Sequence, residues 1–336
     1  MNDQRTRAKG ALGIAAIAAS ALLALTACSA TGGKPSATDG GMDAGQADTA
    51  RFTIAMITHG PPGDTFWDLI RKGAETAAAK DNIELNYSSA LSGPEQSTLV
   101  QTAIDSDVAG IAVTLARPEA MDASVRAAVD AGIPVVGLNA GIDSWKTMGV
   151  TAYFGQDERI SGEAAGKRLA SEGAKNVVCV IQDQGNISLE SRCAGVAAGL
   201  GGSQMEILNV NGTDMPSVQS TITAKLQQDP SVDTVITLGA PIALAAVDSV
   251  DNAGSNAKIA TFDTNAALVD AIKGGDVQWA VDQQPFLQGY LAIDSLWLYL
   301  NNGNTIGGGQ PTLTGPAFID KTNIDAIAEY ARNGTR

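Results

Sequence analysis

Phe66 and Trp67 stand side by side just after the Pro/Gly turn His59–Asp64, where a segment with helical spacing begins. Two aromatics there would turn flat apolar faces toward a cleft, and the C–H face of a ring ligand could stack on them. Three carboxylates have comparable settings: Asp64 in the turn itself, Glu190 in GNISLESR, and Asp263 at the end of KIATFD. An ionised carboxylate accepts hydrogen bonds from ligand hydroxyls, and a pair of carboxylates flanking a glycosidic bond can hydrolyse it. Arg117 follows the apolar run Gly110–Leu115 and is placed to reach the same cleft. His59 is the one histidine; close to Pro61 and Pro62 it reads as a loop residue or rim contact rather than a general base. Each of these residues also has a purely structural reading. Thr65 with Asp68 would make a capping box over a Phe66/Trp67 core pair, Asp263 would cap the next helix, and Asn139 would serve as a left-handed turn residue. Trp145 and Trp279 read as packing residues that could also wall a cleft.

The elements that must position these residues alternate regularly. Phe52–Thr58 is an apolar strand, Thr65–Lys80 a helix, and βα units recur through Ile83–Ser88, Gly93–Asp105, Gly110–Leu115, Pro118–Ala131, Ile133–Asn139 and Val150–Phe154. A second series runs from helix Glu158–Glu172 through strand Lys258–Asp263 and helix Ala266–Gly274. It is followed by strand Val277–Gln283, a long apolar helix over Pro285–Asn301, a segment Pro311–Ile319 and a final short helix. Such alternation predicts two α/β lobes with parallel sheets and right-handed crossovers. Ligands of open α/β sheets sit beyond the carboxyl ends of the strands. Candidate crossings between the lobes are Phe154–Asp157, Gln283–Pro285 and Thr314–Pro316, which together would make a multi-strand hinge. The lobes expected are 51–154 plus 285–314, and 155–284 plus 315–336.

The formal charge of −14 argues against nucleic acid as a partner, because phosphate binding rewards basic patches. Dinucleotide and phosphate-loop signatures are absent from the sequence, as is any metal-ligand cluster, so no cofactor or metal is expected. At the N-terminus, Arg5, Arg7 and Lys9 precede an apolar run, Ala11–Ala24, too short to span a bilayer comfortably. Leu25-Thr26-Ala27-Cys28 then resembles the lipobox of bacterial lipoproteins. That likeness implies cleavage of residues 1–27 and a lipidated Cys28 holding the protein to a membrane outside the cytoplasm; the alternative is an ordinary signal peptide with an incidental cysteine. Residues 28–50, mostly Gly, Ala, Ser, Thr and Asp, read as a flexible tether. Cys179 at a strand end and Cys193 on the following helix are within plausible reach of a disulfide; two buried free thiols are the other reading.

Several short segments taken in order carry a resemblance: Gly63-Asp-Thr-Phe-Trp67, Ile133-Pro-Val-Val-Gly-Leu-Asn139, Gly155-Gln-Asp157 with Gly162-Glu-Ala-Ala-Gly166, and Ile259-Ala-Thr-Phe-Asp263. With the lipobox, tether and two βα lobes, they resemble type I periplasmic binding proteins, in the ribose/galactose-like sugar-binding cluster of ABC importers. The resemblance spans Arg51 to Ile319 and implies a non-enzymatic, monomeric receptor that closes over one sugar or polyol and delivers it to an ABC permease and its ATPase. It also implies ring stacking by Phe66 and Trp67, a polar contact from Asp64, ligand binding by Asp263 and a hinge-side contact from Gln283. Asn139 occupies a position where the family places Asp followed by Arg, yet Ala140 comes next here. Glu190 falls where the family carries an arginine, with Arg192 two residues on, which implies a different hydrogen-bond polarity. Gly239-Ala-Pro241 replaces a segment that usually supplies an amide, thereby removing a contact or making room for a bulkier ligand. Other readings are a sensor lipoprotein reporting to a membrane receptor, and a secreted glycoside hydrolase using Asp64, Glu190 or Asp263.

Overall fold

The computed structural model describes residues 46–336. Cys28, the segment 1–27 and the greater part of the expected tether lie outside the described residues. The chain begins with β1 (Phe52–Thr58), α1 (Thr65–Lys80), β2 (Ile83–Ser89), α2 (Gly93–Asp105) and β3 (Gly110–Val113). Next come α3 (Pro118–Asp130), β4 (Val135–Leu138), β5 (Ala152–Gly155), α4 (Glu158–Ser171), β6 (Asn176–Ile181) and α5 (Ile187–Gly199). It continues through β7 (Gln204–Asn209), α6 (Met215–Gln228), β8 (Thr234–Thr237), α7 (Ala240–Ala253), β9 (Lys258–Phe262) and α8 (Ala266–Gly274). The last elements are β10 (Trp279–Asp282), α9 (Pro285–Asn302), β11 (Thr312–Leu313), β12 (Ala317–Asp320) and α10 (Asp325–Arg332).

Two six-stranded sheets result, ordered β11-β5-β4-β3-β1-β2 and β12-β10-β9-β8-β6-β7. Every pairing is parallel except β10 with β12. The strands are nearly continuous apolar runs because both sheet faces are covered. In β1, Ile54 and Met56 join the layer that holds Ala74 of α1 with Ile293 and Leu296 of α9, while Ala55 and Ile57 face Val100 of α2 and Val125 of α3. β6 divides likewise: Val178 and Val180 face the layer of α6 and α7, and Val177, Cys179 and Ile181 face α4 and α5.

The lobes repeat each other in an interlaced way. After β5 of the first sheet the chain passes to α4, which packs on α5 in the second lobe; after β10 of the second sheet it passes to α9, which packs on α1 in the first. Both helix pairs approach through glycine. A Cβ on Gly195 would stand 2.4 Å from the carbonyl oxygen of Arg159, and one on Gly289 would stand 1.9 Å from that of Ile70. The stretch Pro311–Ile319 is split between the sheets as β11 and β12, and the change of sheet falls at the expected crossing Thr314–Pro316. Pro316 has no N–H to donate to a ladder, so the strand breaks there and the chain changes sheet.

Cys179 of β6 and Cys193 of α5 are joined in a disulfide with a Cα–Cα distance of 6.0 Å, and both are fully buried. The bridge ties the inner strand of the second sheet to the helix that leads into the cleft. Trp145 stacks near Tyr153 in the first core, and the Trp279 indole N–H donates to Glu172, so both tryptophans are packing residues.

Candidate binding site

Loops at the carboxyl ends of β1 and β4 in one lobe, and of β6, β8 and β9 in the other, enclose a cavity of about 320 Å³. Asp64, Phe66, Trp67, Asn139 and Asp263 line it. Arg117, Glu190 and Gln283 do not, and the contacts of each account for that.

Phe66 and Trp67 meet edge to face, with ring centroids 5.3 Å apart at 84°. His59 sits edge-on to the indole at 4.6 Å. Gly60 is obligatory beneath it, because a Cβ there would lie 2.1 Å from the indole ring. Asp64 is the N-cap of α1, accepting from the Phe66 N–H at 2.9 Å, so it takes the capping role expected of Thr65 with Asp68. Burial raises its carboxyl above the usual range.

Asn139 and Asp263 occupy equivalent places, one residue past β4 and β9, with φ of 63° and 64°. Both side chains are buried, and both backbone N–H groups donate at 2.8 Å to the neighbouring strand, at Phe154 and Val281. Left-handed geometry at the strand end turns each side chain into the cavity; the turn reading and the cleft reading of Asn139 therefore describe one conformation. Gln283 lies behind them, fully buried. Its Oε1 accepts from Asn139 Nδ2 at 3.2 Å and its Nε2 donates to Asp263 Oδ1 at 2.8 Å, so it is a strut between the lobes rather than a lining residue.

Glu190 is exposed and accepts from the Gly185 N–H, within its own turn. Arg192 is the cavity-facing charge of α5, since two residues on a helix turn the side chain to the opposite side. Its guanidinium grips Glu158 through two hydrogen bonds, donates to the Leu238 carbonyl at 3.2 Å and stands 3.7 Å from Asp263 Oδ2. The expected inversion of polarity at Glu190 is therefore corrected: an arginine occupies the site, shifted along the helix. Burial pushes the Asp263 carboxyl up to about 7 against the pull of Arg192 and the Gln283 hydrogen bond. Burial, with the Arg117 and Arg192 cations adding to it, pushes the His59 imidazole down to about 3, so the ring is neutral. Asn186, whose Oδ1 accepts from the Ser188 N–H at 3.0 Å, offers its Nδ2 to His59 Nε2 at 3.2 Å. The ring proton then belongs on Nδ1, 2.7 Å from Thr114 Oγ1.

Arg117 pairs with Asp183 across the cleft mouth instead of lining the cavity. Three more contacts join the lips: Asn186 to His59, the Ile187 N–H to the Ala116 carbonyl at 3.1 Å, and Asn265 Nδ2 to Thr65 Oγ1 at 3.3 Å. The lobes are thus in a closed arrangement. Gln182, Asp183, Asn186, Asn211 and Thr264 also line the cavity, and the sequence alone does not mark them, because loop residues carry no periodic signal. The site as a whole offers apolar faces, carboxylates, amides, a neutral imidazole and one buried guanidinium, a set suited to a small uncharged ligand rich in hydroxyls.

Residues 54–305 match the family described as periplasmic binding protein domain. The chain is 28% identical over 242 residues to the xylose/arabinose-binding protein XylF of Sulfolobus acidocaldarius, 67% of this chain but only 60% of that one's length. It is 57% identical to a solved carbohydrate transporter from Acidothermus cellulolyticus in complex with myo-inositol, with a TM-score of 0.84 over 85% of this chain and all of that one. An ABC sugar transporter protein from Legionella pneumophila follows at 26% identity and a TM-score of 0.72, covering 79% of this chain and all of its own. With its two parallel-sheet lobes and the cavity between them, the chain belongs to the periplasmic binding protein family, as a type I member of its sugar-binding branch, and it is a binding protein rather than an enzyme.

Proposed function

We propose that the protein is the extracytoplasmic solute receptor of an ABC importer, capturing a cyclic polyol or monosaccharide between its lobes and presenting the closed form to the permease and its ATPase. The cavity carries this reading: it is roofed by both lobes, it has the aromatic pair Phe66/Trp67 among its lining residues, and it includes hydroxyl-binding groups from each lobe, Asp64 and Asn139 from one and Asp263 and Arg192 from the other. Closure makes all of these available at once, which is how a ligand selects the closed state. Myo-inositol, bound in the 57% identical relative, heads the ligand candidates. Within the same proposal the protein acts as a monomer and is held at the membrane by a lipidated Cys28.

Thermal unfolding of the purified protein against inositols, pentoses and hexoses tests the binding. A ligand specific to the native state stabilises it by an amount that grows with the logarithm of ligand concentration above Kd, about 2.7 kcal/mol at 100-fold excess, and so raises the melting temperature. A rise with myo-inositol or an aldose is expected. No rise with any of them, together with a rise for an amino acid or peptide, would sink the reading. The anchor is tested separately: labelled fatty acid should be incorporated into the wild-type protein in expressing cells and not into Cys28→Ala, and equal labelling of both would remove Cys28 as the anchor.

A further inference from the structure

Among the described residues, three buried side-chain oxygens have no hydrogen-bond partner: Asp81 Oδ2, Gln182 Oε1 and Thr264 Oγ1. The last two belong to residues lining the same cavity, one on the loop after β6 and the other on the loop after β9. Thr264 is 2% exposed, so solvent does not serve its hydroxyl from the side of the core. Buried polar groups in folded proteins are overwhelmingly paired. Two orphans facing one cavity mark where a partner arrives from outside the chain.

Gln182 is held in place by glycines. The Gly212 N–H donates to the Gln182 carbonyl at 3.0 Å, and a Cβ on Gly212 would stand 2.9 Å from that of Gln182. A Cβ on Gly239 would stand 3.2 Å from Gln182 Nε2. The Gln182 amide therefore lies against the bare backbone at the start of α7, in space that any side chain at position 239 would enter.

We propose that Gln182 Oε1 and Thr264 Oγ1 form a hydroxyl-reading subsite on the second lobe, in the space that the side-chain-free Gly239 leaves to the Gln182 amide. This rests on the polyol or sugar reading above and names the residues that set its selectivity. An amide oxygen only accepts, so the ligand must present a donor there. A hydroxyl satisfies it; a ring ether oxygen or a deoxygenated carbon leaves it unpaired. A ring with a hydroxyl on every carbon meets this demand in any rotation, whereas an aldopyranose must keep its ring oxygen away from this wall.

The test is calorimetric titration of wild type, Gln182→Leu and Thr264→Val with myo-inositol, D-xylose and D-galactose, and with the monodeoxy analogues of whichever parent binds most tightly. Wild type should bind one deoxy analogue about tenfold more weakly than the parent, the loss of one neutral hydrogen bond. Each variant should bind the parent about tenfold more weakly, and at least one should no longer distinguish that analogue from it. Thr264→Val, which removes a hydroxyl that has no partner within the protein, should melt no lower than wild type in the absence of ligand, separating a lost contact from a damaged fold. Full retention of parent affinity by both variants, or a uniform loss across parent and all analogues, would overturn this assignment alone. Wild-type protein that binds no member of the panel would overturn the functional reading and the assignment with it.

Discussion

Two buried groups in the cleft titrate in opposite senses over overlapping ranges. Asp263 has its carboxyl raised from 3.8 to about 7, so the native state favours its protonated form; that contribution to stability is complete below pH 4 and lost as pH climbs through 7. His59 has its imidazole lowered from 6.5 to about 3; its contribution is complete above pH 6.5 and lost as pH falls toward 3. The two slopes offset one another in the wild type. Relative to wild type, Asp263→Asn should therefore gain stability steadily from pH 4 to 7, and His59→Gln should gain it in the other direction, from pH 6.5 downward. Calorimetric melting between pH 4 and 8 checks both, and curves that run parallel to wild type would show that these groups do not titrate as their burial requires. Arg192, Glu158, Gln283 and Asp282 all act on Asp263, so each variant is compared with wild type rather than read alone. At this scale the sequence was legible where residue type and loop position agreed, as at Phe66, Trp67, Asn139 and Asp263. It misled at Glu190, because a loop residue count cannot say where α5 starts, and a two-residue offset exchanges an exposed acid for a buried arginine.

The α4–α5 pair sets the position of that arginine. Glu158 opens α4, Arg192 lies on α5, and the two helices touch backbone to backbone through Gly162, Gly166, Gly195 and Gly199. Gly195→Ala should cost about 1–3 kcal/mol in urea unfolding, as an extra methyl forced into a close-packed contact does. Cys193 follows Arg192 directly. Replacing both Cys179 and Cys193 by Ala should lower stability by about 3 kcal/mol, the chain-entropy expectation for a loop this short. A loss well under 1 kcal/mol in equilibrium unfolding would show that packing alone holds α5 on β6. Elements of this kind were the most readable level of the sequence, since a parallel strand buried on two faces and a helix with one apolar stripe have distinct periods. The terminal stretch Pro311–Ile319 was readable as a crossing at Thr314–Pro316 but not as two strands, because β11 has only two residues and β12 pairs in a different sheet.

Closure of the whole molecule draws on contacts at the lips as well as on ligand. The Arg117–Asp183 pair is part exposed on both sides, 23% and 35%, so screening limits it to about 0.2–1 kcal/mol. Arg117→Gln should accordingly weaken ligand affinity by up to about fivefold through a smaller closed population, and should enlarge the radius of gyration of the ligand-free protein in solution scattering. Unchanged affinity and an unchanged radius would remove the pair from the closing mechanism. The two-lobe architecture could be read from alternation alone, but which side chains meet across the cleft could not, because those pairs join residues 66 to 200 positions apart.

Interlacing of the lobes also orders events in time. By the end of β5 the chain has delivered all of the first sheet except its two-residue edge strand β11, yet the face formed by Ile54, Met56, Ala112 and Val136 is finished only by Ala292, Ile293 and Leu296 of α9. Everything that builds the second sheet through β10 comes between them. The lobe written first is thus sealed last: as the polypeptide emerges, a half-clad apolar sheet must wait for its covering helix, and that interval, rather than the finished receptor, is when the chain is most exposed to self-association.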